Sequence, residues 1–299
     1  MVDELVIDPN LLNRLKGMEL RSRFLVRGMY TNRHRTADFG HSTEFVQHRE
    51  YRRGDEIRNI DWRVYARTGR FYVKMHEMES NMQVNFLLDT SDSMRVAAPA
   101  GLPTKLELAA TIAGAVAVMA QVQQDSVGLV CLGNTIDEYV PARQGTQHLA
   151  LLYQHLNNPV GSGGGKFGQL VKEAGGRIGN RGMVFILSDC LDSPEELYDA
   201  MKILRVREQD VTLIHIMDRD EVEFPFDRMT EFRHPETGAR IVGDPQALKK
   251  KYLERLNAHL EKVESYCKKI QVDYFRISNA DDLISLMSVH FIQRSLEMG

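Results

Sequence analysis

The sequence predicts an α/β fold: a doubly wound, mainly parallel sheet of six strands, preceded by an N-terminal extension with a helix and strands of its own. Three observations predict it. From Val84 onward, short apolar runs alternate with longer helical patterns, the signature of a parallel sheet with crossover helices. The run Met183–Leu187 holds no polar residue, as a strand covered on both faces requires. The composition is that of a folded globular chain, with 299 residues, 43% hydrophobic and 26% charged. That length is more than one small core needs, and the change of pattern near residue 80 divides an extension, 1–80, from a main domain, 81–299.

Taken in order, residues 9–28 have a helical pattern rich in Arg. Residues 31–76 carry ten Lys/Arg against six acids. The stretch GRFYVKMHEME then alternates as a strand does, and Trp62, the one tryptophan, is expected to anchor the extension in a core. In the main domain Val84–Leu88 is a strand, expected at the centre of the sheet. Lys105–Gln123 is a helix of small residues, able to lie close on a sheet. Ser126–Leu132 and Thr135–Val140 form a hairpin around Gly133-Asn134. Gln147–Leu156 is a helix, and the loop NNPVGSGGGKFG leads into a short one. Pro194–Val206 is a helix with Ser193 as its N-cap, and Val211–Ile216 a strand. An excursion near 222–244 reads as a hairpin around PETG. Pro245–Lys269 is a long helix, Val272–Ile277 the last strand and Ala280–Leu296 a closing helix.

The stretch NFLLDTSDSM sets an acid and two hydroxyls, Asp89, Ser91 and Ser93, at alternate positions directly after the first strand. In an open α/β sheet, ligands bind beyond the carboxyl ends of strands where strand order reverses. Asp189 follows Met183–Leu187 in the same way. With order 3-2-1-4-5-6 the two strands flank that point, and two carboxylates and two hydroxyls converge. Such a set of hard oxygens suits Mg²⁺, which takes about six and keeps some of them as water. Turn formation and helix capping are the ordinary alternative for Asp and Ser after a strand.

DTSDSM resembles the metal-ion-dependent adhesion site motif of von Willebrand factor A domains. The upstream block EFVQHREYRRGDEIRNIDWRVYAR (Glu44–Arg67) resembles the signature of domain-of-unknown-function family fifty-eight, and HPETGARIVGDP and YFRISNADDLISLM are similar to its later blocks. The resemblance runs from about Gly40 to the C-terminus. It implies a von Willebrand factor A-like, Rossmann-type domain whose cation is held by Ser91, Ser93, Asp89 and Asp189 with a Thr from a second loop. In this sequence the Thr position falls at Lys166 or Phe167. The Lys166 ammonium then stands as a candidate substitute for the cation, and Ser162 as a candidate oxygen donor. Mg²⁺ is expected to bind weakly or not at all for want of the Thr.

Other motifs do not fit. GSGGGKF lacks the first Gly and the final Ser/Thr of a phosphate loop, and no strand precedes it; it reads as a flexible surface loop. Ser91 stands where a phosphoaspartate hydrolase has its second acid. No G-x-S-x-G elbow or H-E-x-x-H is present. Arg53-Gly54-Asp55 reads as a turn.

The expectation is a non-enzymatic interaction module whose crevice offers a cation to an acidic side chain of a partner. The resemblance implies a MoxR-type AAA+ ATPase as that partner, with an unknown client protein. The alternatives are a metal-dependent hydrolase using the same carboxylates, and nucleic-acid binding through the basic 31–76 segment. Because acids interleave with those cations and the net charge is −3, the expectation is no nucleic acid. Three scattered cysteines, and no basic stretch before an apolar one at the N-terminus, point to the cytoplasm. The longest apolar run, Leu108–Ala120, is short for a membrane span and reads as a buried helix.

Overall fold

The computed structural model describes Ser22 and residues 48–50, 62–74, 82–284, 286 and 287. The expected helix at 9–28, the Arg53-Gly54-Asp55 turn and most of the basic segment lie outside these residues. The chain forms two compact units, one within 36–81 and one holding 82–299.

In the smaller unit, β1 (His48–Glu50) pairs antiparallel with β2 (Tyr72–Lys74). Between them lies a helix, α1 (Trp62–Thr68). Gly69 ends it with φ +70°, donating its N–H to the Tyr65 carbonyl, as a left-handed C-terminal glycine does. Trp62 is 56% exposed rather than buried. Among the described residues its ring stands T-shaped to Tyr65, one turn along the same helix, and to Phe71, itself stacked on Tyr65. A seven-residue helix is too small to enclose an indole.

The larger unit contains β3 (Gln83–Asp89), α2 (Lys105–Val122), β4 (Ser126–Leu132), β5 (Ile136–Arg143), α3 (Thr146–Asn157), α4 (Phe167–Arg177), β6 (Gly182–Ser188), α5 (Pro194–Val206) and β7 (Gln209–Met217). There follow α6 (Arg219–Glu223), β8 (Thr230–Arg233), β9 (Arg240–Gly243), α7 (Pro245–Lys269) and β10 (Asp273–Ser278). The six-stranded sheet has the order β10-β7-β6-β3-β4-β5, which is 3-2-1-4-5-6 along the chain. All neighbours are parallel except the β4–β5 hairpin. This is the doubly wound α/β fold, with β3 central.

Side chains alternate across each strand. Val84, Phe86 and Leu88 of β3 and Phe185 and Leu187 of β6 enter one core, against α2, α3 and the 283–287 segment. Leu87, Val184 and Ile186 enter the other, against α4, α5 and α7. Thr104 caps α2 in a reciprocal box with Glu107, and Ser193 caps α5 by accepting from Glu196 N–H, as its sequence signals. By length and hydropathy α2 could cross a bilayer, yet 72% of it is buried within the fold. Its buried alanines, among them Ala109, Ala113 and Ala117, let the helix sit close on the sheet. The hairpin around PETG is present as β8 and β9, paired from Thr230–Gly243 to Arg233–Arg240.

Candidate functional site at the strand switch point

Strand order reverses between β3 and β6, so the loops after these strands diverge and leave a crevice. Asp89, Ser91, Ser93 and Asp189 all line it, with Ser188, Asp192, Phe167, and His234 and Glu236 from the tip of the β8–β9 hairpin among the rest. The turn after β3 is built locally. Asp89 Oδ1 accepts the Ser91 N–H at 3.0 Å, and Ser91 and Ser93 bring their hydroxyls to 3.0 Å of each other at the start of a 3-10 turn, Asp92–Arg95. Asp89 Oδ2 accepts the Ser188 hydroxyl at 2.6 Å, which ties β3 to β6 at the mouth.

Both acids are 4% exposed. Their partners differ. Asp189 Oδ2 accepts from Lys105 Nζ at 2.8 Å, and the same ammonium donates to Glu221 Oε1 of α6 at 2.6 Å. Lys105 is 3% exposed at the first turn of α2. Burial alone would lower its pKa, but the Asp189 and Glu221 carboxylates outweigh burial and hold the ammonium above its ordinary range. Among the described residues Asp89 is hydrogen-bonded to neutral donors. Burial first, then the Asp189 charge, push its carboxyl up to about 7 against those hydrogen bonds. The Glu236 carboxyl is also pushed up, by loss of solvent and by Asp189, Asp192 and Asp92, against the pull of His234.

The lysine that reaches the acids is therefore Lys105, where sequence pointed to Lys166. Lys166 is exposed and stands outside the crevice, as the N-cap of α4 with no side-chain cap bond. A residue one position before a helix, beside Phe167 whose ring takes the inward place, is turned toward solvent. Ser162 is exposed too and does not line the crevice. The Thr position is held by Phe167, whose N–H donates to Asp192 Oδ2 at 2.6 Å.

The glycine loop is not a loose surface loop. Asp92 N–H donates to Gly163 O, Asn134 N–H to Ser162 O and Gly165 N–H to Gly133 O, so it is knitted to the turns after β3 and β4. Glycine is needed where backbones approach this closely. At Gly161, φ is +136° and an added Cβ would stand 2.1 Å from the Thr90 hydroxyl; at Gly164 it would stand 2.0 Å from the Glu236 carboxyl carbon. The hairpin tip is shaped by His234, whose Nδ1 accepts from the N–H groups of Glu236 and Thr237, each at 3.2 Å.

Asp89, Asp189, Asp192 and Glu236, with the hydroxyls of Ser91, Ser93 and Ser188, face one opening, and oxygens of this kind are what a hard divalent cation takes. Among the described residues no three His, Cys, Asp or Glu side chains are placed together to hold a metal ion, so a cation here would depend on the serine hydroxyls and water. Lys105 is paired with Asp189, and Asp89 is bonded to neutral donors among the described residues. Glu236 and Lys105 are the site residues that sequence reasoning missed.

Comparison with known proteins agrees with the resemblance. The family model described as "Protein of unknown function DUF58" matches residues 47–262. Uncharacterized protein Rv1480 of Mycobacterium tuberculosis and Uncharacterized protein Mb1516 of Mycobacterium bovis are each 25% identical over 221 residues, 73% of this chain and 68% of theirs. Among solved structures, conserved hypothetical protein BatB from Bacteroides thetaiotaomicron aligns over 72% of this chain and 98% of its own, with 16% identity and a TM-score of 0.47. The SpRpn10 VWA domain aligns over 68% and 92%, with 13% identity and a TM-score of 0.40. Both scores are low, and it is the match over residues 47–262 that carries the family assignment.

Proposed function

Since this chain belongs to the family described as protein of unknown function DUF58, we propose that it is a non-enzymatic protein-interaction module whose crevice holds Mg²⁺. Ser91, Ser93, Asp89 and Asp189 would hold the ion, directly or through water. The cation supplies a positive centre able to take an acidic side chain of a partner into its coordination shell. The observation that carries this reading is the contrast at the switch point: of two carboxylates, each 4% exposed, Asp189 is paired with the buried ammonium of Lys105, while Asp89, among the described residues, is bonded to neutral donors. A buried carboxylate without a counter-charge is costly, and a cation at Asp89 relieves that cost. Lys105 holds Asp189 in place through one oxygen, and its other oxygen stays turned to the loop, 3.4 Å from Leu191 N.

The partner in this reading is a MoxR-type AAA+ ATPase, with this chain recognising a client protein in the cytoplasm. The resemblance of the Glu44–Arg67 block supports that choice. The test is Mg²⁺ titration calorimetry beside copurification of the tagged chain with and without chelator. Mg²⁺ binding, and an ATPase of that type retained only with Mg²⁺ and lost in Asp89→Ala, are the expected results. An ATPase held equally by Asp89→Ala would remove the crevice from the interaction.

A further inference from the structure

A second concavity lies at the same end of the sheet as the crevice and shares no lining residue with it. It opens between α6, α7 and the carboxyl ends of β7 and β10, with a volume of about 260 Å³. Met217, Val222, Leu253, Leu256 and Leu260 make it apolar. The three leucines continue a stripe of α7 that runs on through Val263 and Cys267, at helical spacing. Val263 and Cys267 are buried in the core, whereas Leu253 and Leu256 are only half-buried. The reason is length. The 25 residues of α7 reach about 37 Å, and the six of β10 about 20 Å, so the apolar stripe outruns the strand beneath it. The α6 wall of the hollow is braced. Tyr252 donates its hydroxyl to Glu221 O at 3.0 Å and Lys249 Nζ donates to Phe224 O at 3.0 Å. Asn279 Nδ2 donates to Asp218 Oδ2 at 2.6 Å and to Pro103 O at 3.0 Å. A hollow with braced walls is preformed, so little ordering is needed when something enters it.

The rim sets the charge of what fits. Asp281 Oδ2 already accepts the Ser278 N–H at 2.7 Å. Arg276 and Asn257, both exposed, have no hydrogen bond or ion pair among the described residues. A guanidinium and an amide beside an apolar hollow are donors suited to a carboxylate. Size narrows the occupant further. Sites for whole small molecules run from about 300 to 1,000 Å³, and this hollow is smaller, with room for one large aliphatic side chain. We propose that the pocket between α6, α7 and β10 docks a segment of a partner protein through one such side chain, with an acid beside it on that segment held by Arg276 and Asn257. The site needs no metal, and it stands or falls separately from the crevice.

The probe is the peptide acetyl-Gly-Leu-Glu-Gly-amide, titrated against the full chain in chelator and followed by saturation-transfer NMR. Exchanging its Leu for Ala should weaken binding by about ten-fold or more, as the hollow loses its filling. Exchanging its Glu for Gln should cost about ten-fold in wild type and little in Arg276→Gln, so that the two changes are not additive. Val222, 43% exposed, can be enlarged without repacking the core, and Val222→Trp should block the pocket and abolish binding. Thermal unfolding of both variants separates loss of binding from loss of fold. No binding of the peptide to wild type, equal binding of its alanine form, or binding unmoved by Val222→Trp would overturn the proposal. Hexanoate bound more tightly than the peptide would assign the pocket to a free acid. A dimer in sedimentation that Val222→Trp dissociates would assign it to a second copy of the chain. Either result overturns the partner segment.

Discussion

Asp89 and Asp189 stand at matching ends of neighbouring strands, equally buried, and are stabilised in opposite ways. Asp189 faces an ammonium that is itself shared with Glu221. Asp89 faces a backbone N–H and a serine hydroxyl. Topology alone therefore does not set the charge state of a switch-point acid. What differs is the origin of the neighbours. Those of Asp89 come from its own turn and the adjacent strand end, and those of Asp189 from two helices distant in sequence. One acid sits in a finished structural ion pair and the other is held, among the described residues, by neutral donors.

The largest effect should come from removing the finished half. Lys105→Met leaves Asp189 and Glu221 facing each other without their shared cation, and denaturant unfolding in chelator should show a loss of about 3–5 kcal/mol. Saturating Mg²⁺ should then raise the melting temperature more in Lys105→Met than in wild type, since the ion meets an acid newly freed. An equal Mg²⁺ effect in both would mean that Lys105 and the cation do not share a field. Asp89→Ala should do the reverse. Two donors lose an acceptor, but an uncompensated buried charge also goes, so stability in chelator should stay within about 1 kcal/mol of wild type. The Mg²⁺-dependent rise in melting temperature should vanish altogether.

His215 of β7 shows a third solution, a buried group kept neutral. Its Nδ1 lies 2.9 Å from the Tyr274 hydroxyl, and burial first lowers its pKa to about 4 from the ordinary 6.5. Between those values the unfolded chain binds more protons than the folded one, so stability falls as pH drops from about 6.5 toward 4. Replacing His215 by Gln should remove that contribution between pH 5 and 6.5, where the Asp89 carboxyl, raised to about 7, adds a slope of the opposite sign in both proteins. The smallest effect belongs to Lys166→Thr. It supplies an N-cap side chain that α4 lacks, worth about 0.5–1 kcal/mol, and Mg²⁺ affinity should stay within about two-fold because Lys166 stands outside the crevice. A marked tightening would mean that the new hydroxyl reaches the ion.

The strands were legible because each is a short apolar run whose alternate residues must feed two cores, and no polar residue intrudes in Met183–Leu187. The D-x-S-x-S turn was legible because its bonds are local. Lys105 was not, because its partners lie 84 and 116 residues away, and a lysine beginning a helix reads as a surface residue. One signal was available: a cation at the first position of a helix opposes the helix dipole, so Lys105 called for acids close by. Glu236 was hidden for a related reason. PETG announces a turn, but where the turn points depends on how β8 and β9 leave α6 and α7. Trp62 misled because a single tryptophan is more often buried than left on a short helix among its own aromatic neighbours.

The apolar helix α2 has one more consequence, in the order of synthesis. Only β3 of the sheet precedes it on the chain. The residues that cover it come from β4, α3 and β7, then from Ile277 on β10, and finally from Leu283, Ile284 and Met287. From the moment Val122 leaves the ribosome until residue 287 does, a segment with the length and hydropathy of a membrane span lacks much of its cover. Contacts that span so much of the chain form slowly, and exposed apolar surface of this kind is what chaperones and insertion machinery bind. The helix that makes the finished core tight is thus the segment on which the nascent chain most depends for protection.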